Sequence, residues 1–234
     1  GVTTGVFLGG LLFTVIAYVP LLVSGVRGGS TLAAGSAIIP LAFAWTAGSF
    51  LAGRTIPRFG YRPNIRAGTA FAAVGTAGIA STAPGLDGLL FAGAAFTGIG
   101  MGLTITSFNV STQDRVPWQR RGAATALLLF SRNVGGTVVV SALGLVMAIL
   151  LERGLAGVPN APAPEQVVDP ERWGALPPAA LEAARAALRD ALQVVFAVAA
   201  ASAAIAFAVA WPFPSVRVGE RPDEPAVDRA PSGE

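Results

Sequence analysis

Six apolar stretches, each long enough to cross a bilayer as a helix, follow one another through this chain: Thr4–Ser24, Thr31–Gly53, Asn64–Ala83, Gly88–Thr112, Ala123–Leu151 and Ala191–Phe213. A hydrocarbon core about 30 Å thick takes ~20 helical residues, and charges or prolines separate the stretches. The expected fold is therefore an all-α membrane protein with six transmembrane helices in residues 1–213. Only 12% of the residues are charged and 53% are hydrophobic, against ~25% charged in soluble proteins, which excludes a soluble globule. The third stretch is the least hydrophobic, because it is rich in Ala, Gly and Thr. Such small residues serve close helix packing in lipid, so it counts as a span.

All sixteen basic residues are arginine. With alternating sides, Arg54, Arg58, Arg62, Arg66, Arg115, Arg120, Arg121, Arg217, Arg221 and Arg229 share one face of the membrane. Arg27, Arg153, Arg172, Arg185 and Arg189 share the other, and Arg132 lies inside the fifth span. The positive-inside rule then puts both chain ends in the cytoplasm. The net charge of +3 is read as loop charge, so no nucleic-acid partner is expected. Arginine without lysine, together with abundant alanine, points to a GC-rich genome and hence to a bacterial plasma membrane. The opening Gly1-Val2-Thr3-Thr4-Gly5 has no initiating methionine and no charged leader, so a piece of a longer chain is expected.

The outer segment Glu152–Asp190 contains Pro159, Pro162, Pro164, Pro170, Pro177 and Pro178, and its first part is expected to be irregular. Beyond Pro178, Leu181, Leu188, Leu192 and Val195 recur at helical spacing, with Glu182 and Arg185 three residues apart. This predicts a short interfacial helix leading into the sixth span. Residues 214–234 mix charge, Pro and Gly and are expected to form a disordered cytoplasmic tail.

Cysteine and histidine are both absent, which removes the thiolate and imidazole groups of most hydrolases and metal sites. With lysine missing too, the common dyads of an intramembrane serine protease cannot form. No enzyme activity, cofactor or metal is expected. No charged ring or carbonyl filter marks a channel either.

Two segments are more particular than topology requires. Gly53-Arg54-Thr55-Ile56-Pro57-Arg58-Phe59-Gly60-Tyr61-Arg62 reads as a tight basic loop between spans two and three. Gln113-Asp114-Arg115-Val116-Pro117-Trp118-Gln119-Arg120-Arg121-Gly122-Ala123-Ala124-Thr125 leads on to Phe130-Ser131-Arg132-Asn133-Val134-Gly135-Gly136. The first resembles the cytoplasmic-loop motif G-x-x-x-D-[RK]-x-G-x-[RK] of the major facilitator superfamily, matched at Gly53, Arg58, Gly60 and Arg62. Pro57 stands where that motif has its acid. The second is similar to a Q-x-x-V-P-x-x-x-R-G-x-A-[TS] and F-x-R-x-x-G-G pair in the fourteen-helix drug:proton antiporter branch. Tyr18-Val19-Pro20-Leu21 and Val26-Arg27-Gly28 fit as well, and the resemblance extends to about Trp211.

The resemblance implies the carboxy-terminal half of a transporter, built as two inverted three-helix repeats with substrate bound between halves. Its implied partners are the lipid bilayer, a missing amino-terminal half, a small-molecule substrate and protons. The alternatives are half of a metabolite facilitator and a non-transporting six-helix membrane protein. By the same resemblance the first and fourth helices face the cavity, which makes Phe13, Thr14, Tyr18, Thr104, Thr106, Ser107 and Asn109 candidate cavity residues. Hydroxyls in lipid-buried helices commonly bond their own backbone, so Asn109, whose amide is costly to bury alone, is the foremost of these.

Arg132 is the only full charge well inside a span and is a functional candidate on that ground. Folding spans four and five back about Pro117 and Trp118 sets it opposite Leu103 and Thr104, roughly 15 Å from Asp114 at ~1.5 Å per residue. Its counter-charge is then expected outside this chain, unless the side chain snorkels to the cytoplasmic surface. Gly98 and Gly102 read as packing positions, and Gly135-Gly136 as hinge candidates. No acid lies inside a span, so a proton-coupling carboxylate is expected in the missing half.

Overall fold

A computed structural model of the chain describes residues 2–82, 87–159, 162–169, 173 and 177–211, and the regular structure among them is helical throughout. Helix α1 (Val2–Leu21) carries Pro20 inside its last turn. Pro20 has no N–H for the carbonyl of Ile16, and the chain widens at once into a π turn, Leu22–Val26. The Ser24 hydroxyl donates to the Pro20 carbonyl at 3.0 Å.

The second stretch, expected as one helix, is two: α2 (Thr31–Ser36) and α3 (Ile39–Phe59). Pro40 causes the break, since it cannot donate to the carbonyl of Ser36 and is tolerated only in the first turn of a new helix. The expected basic loop after it is mostly helix as well. α3 runs through Gly53, Pro57 and Arg58 to Phe59, and α4 (Tyr61–Ala80) begins two residues later. Gly60 makes the whole connection, at φ 79° and ψ −173°, a backbone geometry that a side chain would strain. The Thr55 hydroxyl bonds Asn64 Oδ1 across it at 2.8 Å.

α5 (Asp87–Asp114) and α6 (Arg121–Leu155) follow, joined through a single 3₁₀ turn at Trp118–Arg120. α7 (Pro164–Val167) is one turn in the proline-rich segment. The segment expected to be irregular opens within α6, which runs to Leu155, and Val167 and Trp173 are buried in the core. The short helix expected before the sixth span is not separate: α8 (Pro178–Ala210) is unbroken over 33 residues. At ~1.5 Å per residue α6 and α8 reach about 50 Å, well beyond a 30 Å hydrocarbon core, so their polar ends project from it. The expected disordered tail lies outside the described residues.

Among the described residues, five helical stretches are long and apolar enough to cross a membrane: Val6–Val26, Leu32–Phe59, Gly88–Asp114, Trp118–Leu155 and Pro178–Val209. α4, at 20 residues, has the length but less hydrophobicity.

The packing repeats itself. α1 packs on α6 as α5 packs on α3, α4 meets α5 as α8 meets α1, and α4 pairs with α8. Exchanging α1, α3 and α4 for α5, α6 and α8 leaves this pattern unchanged, as a pair of three-helix repeats requires. The core divides between the two ends of the bundle. Leu8, Ile56, Tyr61, Met101 and Phe108 fill the end that carries the arginine-rich turns. Val19, Leu22, Leu151, Leu188 and Trp173 fill the opposite end.

Candidate functional site

The crossing of α1 on α6 places Arg132. The two backbones are so close that a Cβ on Gly9 would collide with the Arg132 carbonyl oxygen and lie 2.9 Å from its Cγ. Gly135 and Gly136 extend the same contact, the first under Val6 and the second under the Phe13 ring. Both glycines are buried in a helix that continues unbroken past them. Tyr18 closes the crossing, its hydroxyl donating to the Val140 carbonyl at 3.2 Å.

Arg132 and Asn109 line one narrow cleft, together with Leu8, Ile105, Phe108, Leu128 and Leu129. Both are half-buried, and the Arg132 Nε is buried without a hydrogen-bond partner. Arg132 therefore faces Ile105 to Asn109, about one turn nearer the arginine-rich end than Leu103 and Thr104, where simple back-folding sets it. The Cα–Cβ bond of a helical residue tilts toward the helix N-terminus, and α6 starts at the arginine-rich end, so a long side chain leans that way.

The other sequence candidates are spread through the bundle. Thr14, Thr104 and Ser107 are wholly buried, and their hydroxyls bond the carbonyls of Gly10, Gly100 and Leu103, each at 2.7 Å. They sit inside the bundle, as does the ring of Tyr18. Thr106 and Phe13 are half-buried. Gly53 and Arg58 are exposed and Arg62 is half-buried, so these three do not converge on the cleft.

Sequence reasoning missed three contacts at the arginine-rich end. The buried Tyr61 hydroxyl donates to the Asp114 carboxylate, joining the start of α4 to the end of α5. Burial first, then the hydrogen bond to Asp114 and its negative charge, push the Tyr61 phenol above its ordinary value. Gln113 Nε2 donates to the Thr125 hydroxyl at 3.2 Å, closing the base of the turn between α5 and α6. An available signal was that a buried tyrosine hydroxyl needs a partner. Arg66 lies over the Trp211 ring at 4.0 Å and bonds its carbonyl, so α4 also holds the end of α8.

Long apolar helices packed as a repeated trio define an integral membrane bundle. Residues 1–140 match the family described as Major Facilitator Superfamily, more than half of the sequence, and the chain belongs to that superfamily of transporters. It is 27% identical to the Multidrug transporter protein MdtP of Bacillus subtilis over 146 residues, which cover 61% of this chain and 27% of that protein. It is 28% identical to the Multidrug resistance protein Stp of Mycobacterium tuberculosis over 130 residues, 56% of this chain and 24% of that protein. The match thus spans about a quarter of the length of each relative.

Proposed function

We propose that this chain is the carboxy-terminal half of a proton-coupled multidrug exporter of the fourteen-helix branch, in a bacterial plasma membrane. In this reading α4 is the sixth crossing and both chain ends lie in the cytoplasm. The observation that carries it is the Asn109–Arg132 cleft, where α1, α5 and α6 meet in a twofold-repeated bundle. A half-buried guanidinium with an unpartnered Nε calls for an anionic or carbonyl partner, which a second half or a substrate supplies. The names of the two relatives support a drug as substrate, and their greater length supports a second bundle. Alternating access needs two bundles rocking about a site between them, with Gly135-Gly136 the point at which α6 yields.

The test follows from that requirement. Expressed alone, the chain inserts but moves no drug under a pH gradient, whereas co-expression with an amino-terminal six- or eight-helix partner restores movement. Robust pH-driven transport by the monomeric chain overturns the reading. The topology has its own test, because the chain lacks cysteine: single cysteines at Gly60 and Pro164 label from opposite faces of intact cells. Labelling of both from outside defeats the proposed orientation.

A further inference from the structure

A cavity of about 740 Å³ lies at the end of the bundle opposite the arginine-rich turns, distinct from the Asn109–Arg132 cleft. Pro20 and Leu21 from α1, Ala34 from α2, Leu181 and Arg185 from α8, and Trp173 line it. That volume falls in the range of small-molecule sites, and a mostly apolar wall with a few polar groups is their usual composition.

Two side chains give the cavity chemical character. Trp173 is 6% exposed, with its indole N–H donating to the Gln166 carbonyl at 3.0 Å. The Arg185 guanidinium, expected beside Glu182, stands 5.9 Å from the centre of the Trp173 ring, and its Nε is buried without a hydrogen-bond partner. Asp169 also lines the cavity but already has an interaction partner. Gly28, at φ 65°, brings the loop after α1 against Arg185: a Cβ there would sit 3.4 Å from Nη2. Arg185 supplies the cavity's cationic donor, set at the edge of an aromatic and aliphatic wall.

We propose that this cavity binds an aryl carboxylate, with the ring against Trp173, Leu21 and Leu181 and the carboxylate on the planar fork of Arg185. The site is independent of the transport reading, since no residue of the Asn109–Arg132 cleft contributes to it.

The experiment uses the full chain in lipid nanodiscs and 4-bromobenzoate, whose bromine quenches indole fluorescence on contact. The part of the quenching that disappears in Trp173→Phe reports this cavity. That part saturates with 4-bromobenzoate, weakens at least tenfold in Arg185→Gln and is partly kept in Arg185→Lys. 4-Bromobenzyl alcohol and 4-bromobenzylamine, which partition into lipid but lack the carboxylate, bind at least tenfold more weakly to the wild type. Equal quenching by all three compounds, or a carboxylate response unchanged in Arg185→Gln, overturns the proposal. Should Arg185→Gln fail to fold, Ala34→Phe decides: it fills the cavity and abolishes saturable quenching, and quenching that survives it overturns the site.

Discussion

The α3–α5–α4 layer and the α1–α6 crossing both bring backbones into contact through glycine, but they treat polar side chains differently. In the layer, Gly98 and Gly102 of α5 press on α3 while Gly93 and Gly100 press on α4. The hydroxyls between them turn inward, with Thr97 and Thr104 each bonding a carbonyl of α5 itself. At the crossing, the Tyr18 hydroxyl reaches over to α6, and Arg132 emerges beside Asn109 with its Nε unpartnered. A buried polar group that closes on its own helix is a packing element, whereas one that stays open is available for function.

The largest effect is expected where glycine meets backbone on another helix. A Cβ at Gly102 would lie 2.6 Å from the Ser49 nitrogen and against the Trp45 carbonyl, and neither atom can rotate aside. Gly102→Leu should abolish folded protein, and Gly102→Ala should cost about 3 kcal/mol, at the upper end for overpacking. Size-exclusion profiles and SDS titration in detergent measure both. A Gly102→Ala protein as stable as the wild type would show that α3 and α5 are not in this contact.

Next comes the link that ties the layer together at the arginine-rich end. Tyr61→Phe should cost about 1.5–3 kcal/mol, as for a hydrogen bond to a charged group. Because the phenol is raised above its ordinary value of 10.0, the contribution is complete below about pH 10 and fades only as pH rises through the folded-state value. The stability difference between wild type and Tyr61→Phe should therefore be flat from pH 6 to 9, and a slope across that range would contradict the contact.

At the crossing, Arg132→Gln should leave folding intact and lower transport by the complete transporter about tenfold, equivalent to about 1.4 kcal/mol. Arg132→Lys should fall between, since a point charge does not reproduce the guanidinium fork. Full transport by Arg132→Gln at normal expression would leave snorkelling as the whole role of the side chain.

Gly10→Ala should cost only about 1 kcal/mol, because the nearest atoms its Cβ meets belong to the Val139 side chain, 2.8 Å away. Val139→Ala in the same protein should recover most of the loss. The smallest effect belongs to Thr104→Val. Its hydroxyl is satisfied within α5, so stability should change by less than about 0.5 kcal/mol and transport by less than twofold. A tenfold loss of transport would make Thr104 a cavity residue after all.

The apolar lengths, the arginine-rich turns and the four-residue spacing of Gly98 and Gly102 were readable because each is a property of one segment. Hydrophobicity over ~20 residues and glycine at helical spacing need no knowledge of neighbours. Pro40 and Pro57 were equally visible, yet one begins a new helix after a break and the other is carried within a helix two residues from its last. A missing N–H costs little in a first turn and more in an interior, so its consequence depends on where the helix begins and on what surrounds it.

The sequence by itself thus determined that this chain is a bundle of membrane-length helices with charged turns, and it singled out Arg132 and Asn109 as polar groups in apolar surroundings. Only the tertiary structure decided that these two share a cleft, that Thr14, Thr104 and Ser107 close on their own helices, that Tyr61 meets Asp114, and that Trp173 and Arg185 wall a separate cavity. A run of apolar residues specifies a helix through backbone hydrogen bonds made within the segment. The direction in which a side chain points depends on how closely and at what rotation two helices cross, which is set by glycine contacts between residues far apart in the chain.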